Sequence, residues 1–337
     1  MFRSGPVMSN AAITAIGAYL PSRVLGNDHL ERMVETSDEW IVQRTGIRER
    51  RIAADDEFCS DLAIAAVRDL ALRHRLASLA DVDYILTATS TPDTVFPSVS
   101  ARVQAAFDIP AAGALDLQAA CAGFVSALQM ANALILSGLH RKILVIGAET
   151  LSKVTDYTDR TTCILFGDGA AAVLVEAVAP GETGAFLGSS VATQGESGHH
   201  LYRSALSPVI GGHPIRMNDR IVQNGREVFK WAVSQVSEGV TDLLAACGLA
   251  AADVAWFVPH SANIRIVQAI CERTNIPLAS ALTSIETCGN TSAASIPLAL
   301  YAALRDNKLH AGDLLLLYGF GGGLTQAGLL LEWRLAA

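Results

Sequence analysis

The chain has 337 residues, 51% of them hydrophobic and only 17% charged, with a formal net charge of −8 and a mean hydropathy of +0.34. This composition excludes intrinsic disorder and supplies core for two domains or one large duplicated one. With 25 Lys and Arg against 33 Asp and Glu, the charge also argues against nucleic acid, and any acidic partner must be met by a local basic patch.

The six cysteines, at 59, 121, 163, 247, 271 and 288, form no C-x-x-C pair and no Cys/His cluster with zinc spacing. Neither a disulfide framework nor a metal site is expected, and a reducing cytoplasm fits. Residues 1–12 lack the basic and apolar regions of a secretory signal, and Met8 offers an alternative start.

In chain order, periodicity predicts a helix over 60–73, a strand over 83–89, a helix over 121–139 and strands over 143–148 and 170–178. The polar segment 188–224 reads as a long surface excursion or lid. Then follow a helix over 225–246, a strand over 254–259, helices over 263–273 and 291–307, and strands over 313–318 and 325–333. Residues 117–140 carry no Asp, Glu, Lys or Arg. Gln118, Gln129 and Asn132 nevertheless suit a helix buried in protein better than one in lipid.

The order strand, loop, long helix, strand occurs twice. Tyr84, Cys121 and Ile143 in the first half are matched at nearly equal intervals by Trp256, Asn290 and Asp313 in the second. A duplicated α/β chain is expected, with halves 1–180 and 181–337 and a site where they meet. On this reading Asn290 occupies the position of Cys121.

Cys121, in QAACAGF (118–124), lies between small residues at the predicted start of a long helix. Unpaired N–H groups and the helix dipole there favour an anion, so its thiol pKa is expected to be drawn down. His260 ends an apolar strand and faces the crevice of an α/β sheet, where it can polarise a reacting group. The run GFGGG (319–323) lacks dinucleotide-loop spacing and precedes a strand. It suits a tight turn that brings backbone N–H groups to a reacting atom.

These residues, together with TSDEWIVQRTGIR (36–48), FPS (96–98), DR (159–160), FGDG (166–169), VPHSAN (258–263) and GNTS (289–292), resemble the β-ketoacyl-acyl carrier protein synthase III family. The resemblance runs over nearly the whole chain. It implies a thiolase-like, duplicated five-layered αβαβα fold and a decarboxylative condensation of an acyl-CoA primer with malonyl-acyl carrier protein. Cys121 would carry the acyl group, and His260 and Asn290 would bind the malonyl thioester carbonyl. Backbone N–H groups of Cys121 and Gly322 would hold the acyl oxyanion.

The resemblance also implies that Trp40, Arg44, Arg160 and Asn263 contact CoA, that Phe96 reaches the acyl pocket of a partner subunit in a homodimer, and that Lys230 and Arg265 dock the carrier protein. No tightly bound cofactor or metal is expected, only acyl-CoA as substrate, and no membrane insertion. Ser261 and Gln326 depart from the family pattern, where Gln and an aromatic are common. Ser261, Lys153 and residues 323–325 are closer to the Gram-positive type. The competing reading is a synthase-III-like acyltransferase of biotin or secondary metabolism with an unusual primer.

Overall fold

The computed structural model describes residues 3–335. Strand β1 (Arg3–Pro6) leaves the first half to pair with a strand of the second. The first half continues with β2 (Ala11–Tyr19), then β3 (Arg23–Gly26) and β4 (Glu49–Ile52), an antiparallel ribbon enclosing helices α1 (Asn27–Glu31) and α2 (Asp38–Thr45). Next come α3 (Cys59–Arg73), β5 (Tyr84–Ala88), α4 (Val99–Ala106), β6 (Gly113–Leu117), α5 (Gly123–Leu136), β7 (Lys142–Thr150) and β8 (Asp168–Ala177). Their sheet runs in the order β2-β8-β7-β5-β6, with β5, β6 and β7 parallel.

The second half opens on β9 (Phe186–Thr193) and passes through short strands β10 (Leu201–Arg203), β11 (Val209–Ile210), β12 (His213–Pro214) and β13 (Ile221–Gln223). Helices α6 (Gly225–Trp231) and α7 (Ser237–Ala246) are joined by a π turn, so the single helix expected over 225–246 is present with a local underwinding. Then come β14 (Trp256–Pro259), α8 (Ile264–Thr274), α9 (Ile285–Cys288), α10 (Ser295–Arg305), β15 (Leu314–Gly321) and β16 (Thr325–Glu332). The second sheet has the order β1-β9-β16-β15-β14.

The layers follow from which faces are apolar. Helices α5 and α10 pack between the two sheets in one continuous core that includes Phe124, Leu128, Leu300, Leu317 and Trp333. A helix covered on both sides needs no polar face, which explains the uncharged 117–140 stretch. No helix is long and apolar enough to cross a membrane among the described residues. Helices α3 and α4 cover the outer face of the first sheet, and α7 and α8 that of the second. The result is the expected αβαβα sandwich, in which each fully buried Leu, Val or Phe contributes roughly 1.5–3 kcal/mol.

The segment 188–224 differs from the sequence expectation. Its first residues are not an excursion: Gly188–Thr193 belongs to β9, inside the second sheet. Polar residues are tolerated there because Ser190 bonds Ser4 at 3.0 Å, and Gln129 Nε2 donates to Ser189 Oγ at 3.0 Å and to the Gly328 carbonyl at 2.8 Å.

The duplication is visible in atomic detail. The same sequence interval separates Tyr84 from Trp256, Lys142 from Leu314 and the turn Ala120–Ala122 from the turn Ser292–Ala294. Both turns open on a non-glycine residue with positive φ, 45° at Ala120 and 47° at Ser292. The counterpart of Cys121 is therefore Ala293, and the expectation that Asn290 fills the position of Cys121 is corrected. Asn290 lies just upstream of the second turn, where the first half has Gln118, and is bridged to Phe166.

Candidate active site

Between the halves lies a cavity of about 700 Å³ whose lining includes Cys121, His260, Asn290 and Gly322 at its inner end and Trp40, Arg44, Asn263, Lys230 and Arg265 toward its mouth. Its walls are mainly apolar, from Leu151, Ile164, Phe229, Ile266 and Phe320. A few convergent polar groups in such a cavity are the mark of a ligand site.

Cys121 is held in the turn Ala120–Ala122, ahead of α5. The end of β15 passes close beside it. A Cβ on Gly319 would lie 2.9 Å from the Cys121 carbonyl oxygen, and one on Gly321 would lie 2.9 Å from Cys121 Sγ. Only glycine admits this approach.

Contrary to the sequence expectation, the thiol is not acidic. Burial pushes its pKa up to about 12, and the Ser292 hydroxyl offsets this only in part. The dipole of the helix start is outweighed by desolvation of the thiolate, and the start itself is a tight three-residue turn with the α-helix beginning at Gly123.

His260 follows β14, where its N–H donates to the Tyr318 carbonyl at 2.8 Å. Its Nδ1 is 2.7 Å from Ser295 Oγ, and its ring meets Phe320 edge to face at 5.3 Å. Burial drives its pKa down to about 3, so the imidazole is neutral near pH 7. Asn290 is fixed through its backbone, its N–H donating to the Leu165 carbonyl and its carbonyl accepting from the Gly167 N–H. Asn290 Oδ1 accepts from the Ser292 N–H at 2.9 Å, which leaves the amide Nδ2 for the cavity.

At the mouth, Ser37 caps α2 by accepting from the Trp40 N–H. This sets Trp40 and Arg44 one turn apart on one face. The Arg44 and Arg160 guanidinium carbons lie 5.7 Å and 5.5 Å from the Trp40 ring centre. Arg160 thus reaches the site through Trp40, although it is not part of the cavity lining. Asn263 caps α8, its Oδ1 accepting from the Arg265 N–H at 2.9 Å. Lys230 pairs with Glu227 at 2.9 Å.

Phe96 is not brought to this cavity. It projects from the loop before α4, 84% exposed, beside Val95 at 94%. Leu201, Tyr202, Arg203, Ile221 and Gln223 do line the cavity, so the polar segment after β9 is part of the site. The sequence reading gave no role to Ser295, Ser292 or Glu149, and had Gly321 only as part of the glycine run 319–323. The signal for Glu149 and Gly321 was the alignment of GAET (147–150) with the glycine run in the second half.

A duplicated αβαβα sandwich with a buried cysteine, histidine and asparagine at the interface of its halves defines a thiolase-fold condensing enzyme. Family models described as 3-oxoacyl-[acyl-carrier-protein (ACP)] synthase III and its C-terminal part match residues 115–195 and 244–333. The chain is 55% identical over 326 residues to β-ketoacyl-[acyl-carrier-protein] synthase III 2 of Bacillus subtilis (strain 168), covering 97% of this chain and 99% of that one. It is 53% identical over 327 residues to the protein of the same description from Bacillus cereus, again covering 97% and 99%. The crystal structure of β-ketoacyl-[acyl carrier protein] synthase III from Thermus thermophilus superposes with a TM-score of 0.90 at 44% identity, over 96% of this chain and 99% of that one. The chain belongs to the β-ketoacyl-acyl carrier protein synthase III family and is an acyltransferase of that class.

Proposed function

We propose that this enzyme joins an acyl-CoA primer to malonyl-acyl carrier protein, releasing CoA and CO2, through an acyl group carried on Cys121. The observation that carries this reading is the gathering of Cys121, His260 and Asn290 at the inner end of one cavity. Sulfur is the nucleophile of the first step, and backbone N–H groups of Cys121 and Gly322 serve the tetrahedral oxyanion. Ser295 Oγ accepts from the Ser261 N–H at 3.3 Å, so its own proton is free for His260 Nδ1. The imidazole then carries its proton on Nε2. Together with Asn290 Nδ2 it offers two neutral donors to the malonyl thioester oxygen as decarboxylation turns it into an enolate. A neutral histidine suits this role, since it donates without taking charge.

Trp40 between Arg44 and Arg160 suits a CoA adenine and its phosphates, and Asn263 borders the pantetheine arm. Lys230 and Arg265, on the rim of an acidic protein, suit an acidic carrier protein. The exposed Val95 and Phe96 suit a homodimer in which Phe96 completes the partner's acyl pocket. On this reading the halves divide near residue 180, acyl-CoA is a substrate and not a resident cofactor, and the protein works in the cytoplasm.

The test is a single-turnover chase. Enzyme preloaded from acyl-CoA and mixed with malonyl-acyl carrier protein should discharge its acyl group to a β-ketoacyl carrier protein, whereas His260→Ala and Asn290→Ala should load but fail to discharge. Discharge by both variants at the wild-type rate would overturn the assignment of the second step.

A further inference from the structure

We propose that Arg50 is a positioning residue for the condensation step: its buried guanidinium fixes the 164–167 segment and, through it, the backbone of Asn290. The inference rests on the reading of Asn290 as a group of the second step and concerns a residue that reading does not use.

The run RERR (48–51) holds three arginines with different fates. Arg48 pairs with Glu286 at 2.8 Å and Arg51 with Glu49 at 3.6 Å, both open to solvent. Arg50, on the inner face of β4, is 0% exposed. Its Nη1 donates to the Leu25 carbonyl at 3.0 Å and to Asn27 Oδ1 at 2.9 Å, and its Nη2 donates to the Ile164 carbonyl at 2.8 Å. No carboxylate is among these partners, and a buried cation without an anion is costly. Nε is left without a partner, so the side chain is placed for what its two terminal nitrogens hold. A guanidinium is a rigid planar fork whose ends can meet acceptors on different elements, which the compact ammonium of lysine cannot do.

Those nitrogens hold one wall of the active site. Ile164, Leu165 and Phe166 line the cavity and lie outside any regular strand, ahead of β8. Asn290 is clamped to this stretch by two backbone hydrogen bonds, its N–H donating to the Leu165 carbonyl at 2.8 Å and its carbonyl accepting from the Gly167 N–H at 3.0 Å. One end of the stretch is anchored by Asp168, which accepts from the Ala53 N–H at 2.7 Å and from the Ser152 N–H at 2.8 Å. The other end is anchored by Arg50 at Ile164.

The stem of Arg50 adds a second constraint. A Cβ on Gly167 would lie 2.9 Å from Arg50 Cβ, and one on Gly289 would lie 3.1 Å from it. The side chain is therefore wedged against the two glycines beside the clamp. Asn27 in turn donates to the Ile47 carbonyl and to Asp38 of α2, each at 2.8 Å. Arg50 thereby joins the helix that carries Trp40 to the stretch that holds Asn290.

Placement of Asn290 matters because its Nδ2 has to meet the developing enolate oxygen, and an error of about 1 Å is enough to slow such a step severely. With Arg50 shortened, the Ile164 carbonyl loses its donor and the wall is free to shift. Cys121 is held independently, in the turn ahead of α5 and against Gly319 and Gly321 of β15. The first step is therefore spared and the second is not.

Two measurements on Arg50→Lys test this. Hydrogen exchange read by mass spectrometry, with no substrate present, should show peptides covering 163–168 and 287–292 exchanging tenfold or more faster than in wild type, with peptides of α5 and β15 unchanged. In rapid-quench assays, loading of Cys121 from acyl-CoA should stay within twofold of wild type while discharge to malonyl-acyl carrier protein slows tenfold or more. Arg50→Met, which removes the bonds and the charge together, should give the same pattern and keeps the test decisive if Arg50→Lys fails to fold. Unchanged exchange in both peptides overturns the proposal. So does a fall of loading and discharge by equal factors, as a general loss of folded enzyme would produce. Failure of the underlying reading shows separately, as discharge by Asn290→Ala at the wild-type rate.

Discussion

His260 Nδ1 and Ser295 Oγ are 2.7 Å apart, both in fully enclosed positions between β14 and α10. The hydroxyl fixes which ring nitrogen carries the proton and how the imidazole is aimed. Ser295→Ala should lower the rate of condensation by about tenfold, the equivalent of one good hydrogen bond at ~1.4 kcal/mol. Loading of Cys121 from acyl-CoA should be unchanged, because on the proposed reading the histidine serves the second step. Rapid-quench measurement of the two half-reactions separates these outcomes.

Gly321 of β15 lies against the Cys121 sulfur. A Cβ there would meet Cys121 Sγ and Cβ at 2.9 Å and the Cys121 nitrogen at 3.2 Å. Gly321→Ala should destabilise the fold by about 1–3 kcal/mol through overpacking and slow acyl loading by 100-fold or more, since it also crowds the Cys121 N–H proposed to meet the oxyanion. Mass-detected loading beside a urea melt checks both.

Trp40 is flanked by two guanidinium groups at the cavity mouth, far from the reacting sulfur. Trp40→Ala should raise KM for acyl-CoA by roughly tenfold, in line with an aromatic stacking contact of about 1–3 kcal/mol, and leave kcat within twofold. A fall in kcat at unchanged KM would place Trp40 in the chemistry.

Two buried groups give the stability an opposing pH dependence. His260 has a folded pKa near 3 against an ordinary 6.5, so its neutral form favours folding above pH 6.5 and that stability is lost as pH falls toward 3. Glu149 has a folded pKa near 7 against 4.5; its contribution is present below pH 4.5 and is lost as pH rises through 7. Removing one group exposes the other. The stability gap between wild type and His260→Asn should shift against wild type by about 1 kcal/mol per pH unit from pH 6.5 down to 4.5, and urea melts at fixed pH values measure it.

Much of this was legible in the sequence because the strands β5, β7, β14 and β15 are built on apolar runs and the buried helices α5 and α10 are rich in Ala and Leu. The candidate catalytic residues Cys121, His260 and Asn290 were readable because each sits at a strand end or just ahead of a helix, within a short motif. The rest depended on three-dimensional neighbours. Residues 11–19 form a strand although their small side chains give a weak alternating pattern, and β6 is a short strand at the sheet edge. Ser189 and Ser190 sit inside a sheet only because Gln129 and Ser4 satisfy them. The thiol of Cys121 is protonated because burial exceeds the helix dipole, a balance that depends on how deeply the turn is packed. Glu149 is an ordinary strand residue until the second half is laid over the first.

The most direct test of the central claim is intact-protein mass after incubation with a panel of acyl-CoAs, wild type beside Cys121→Ala. A mass increase equal to one acyl group on wild type, absent in Cys121→Ala and removed by malonyl-acyl carrier protein, is the expected result. Equal labelling of the Cys121→Ala variant, or no adduct on wild type with any donor, would contradict it.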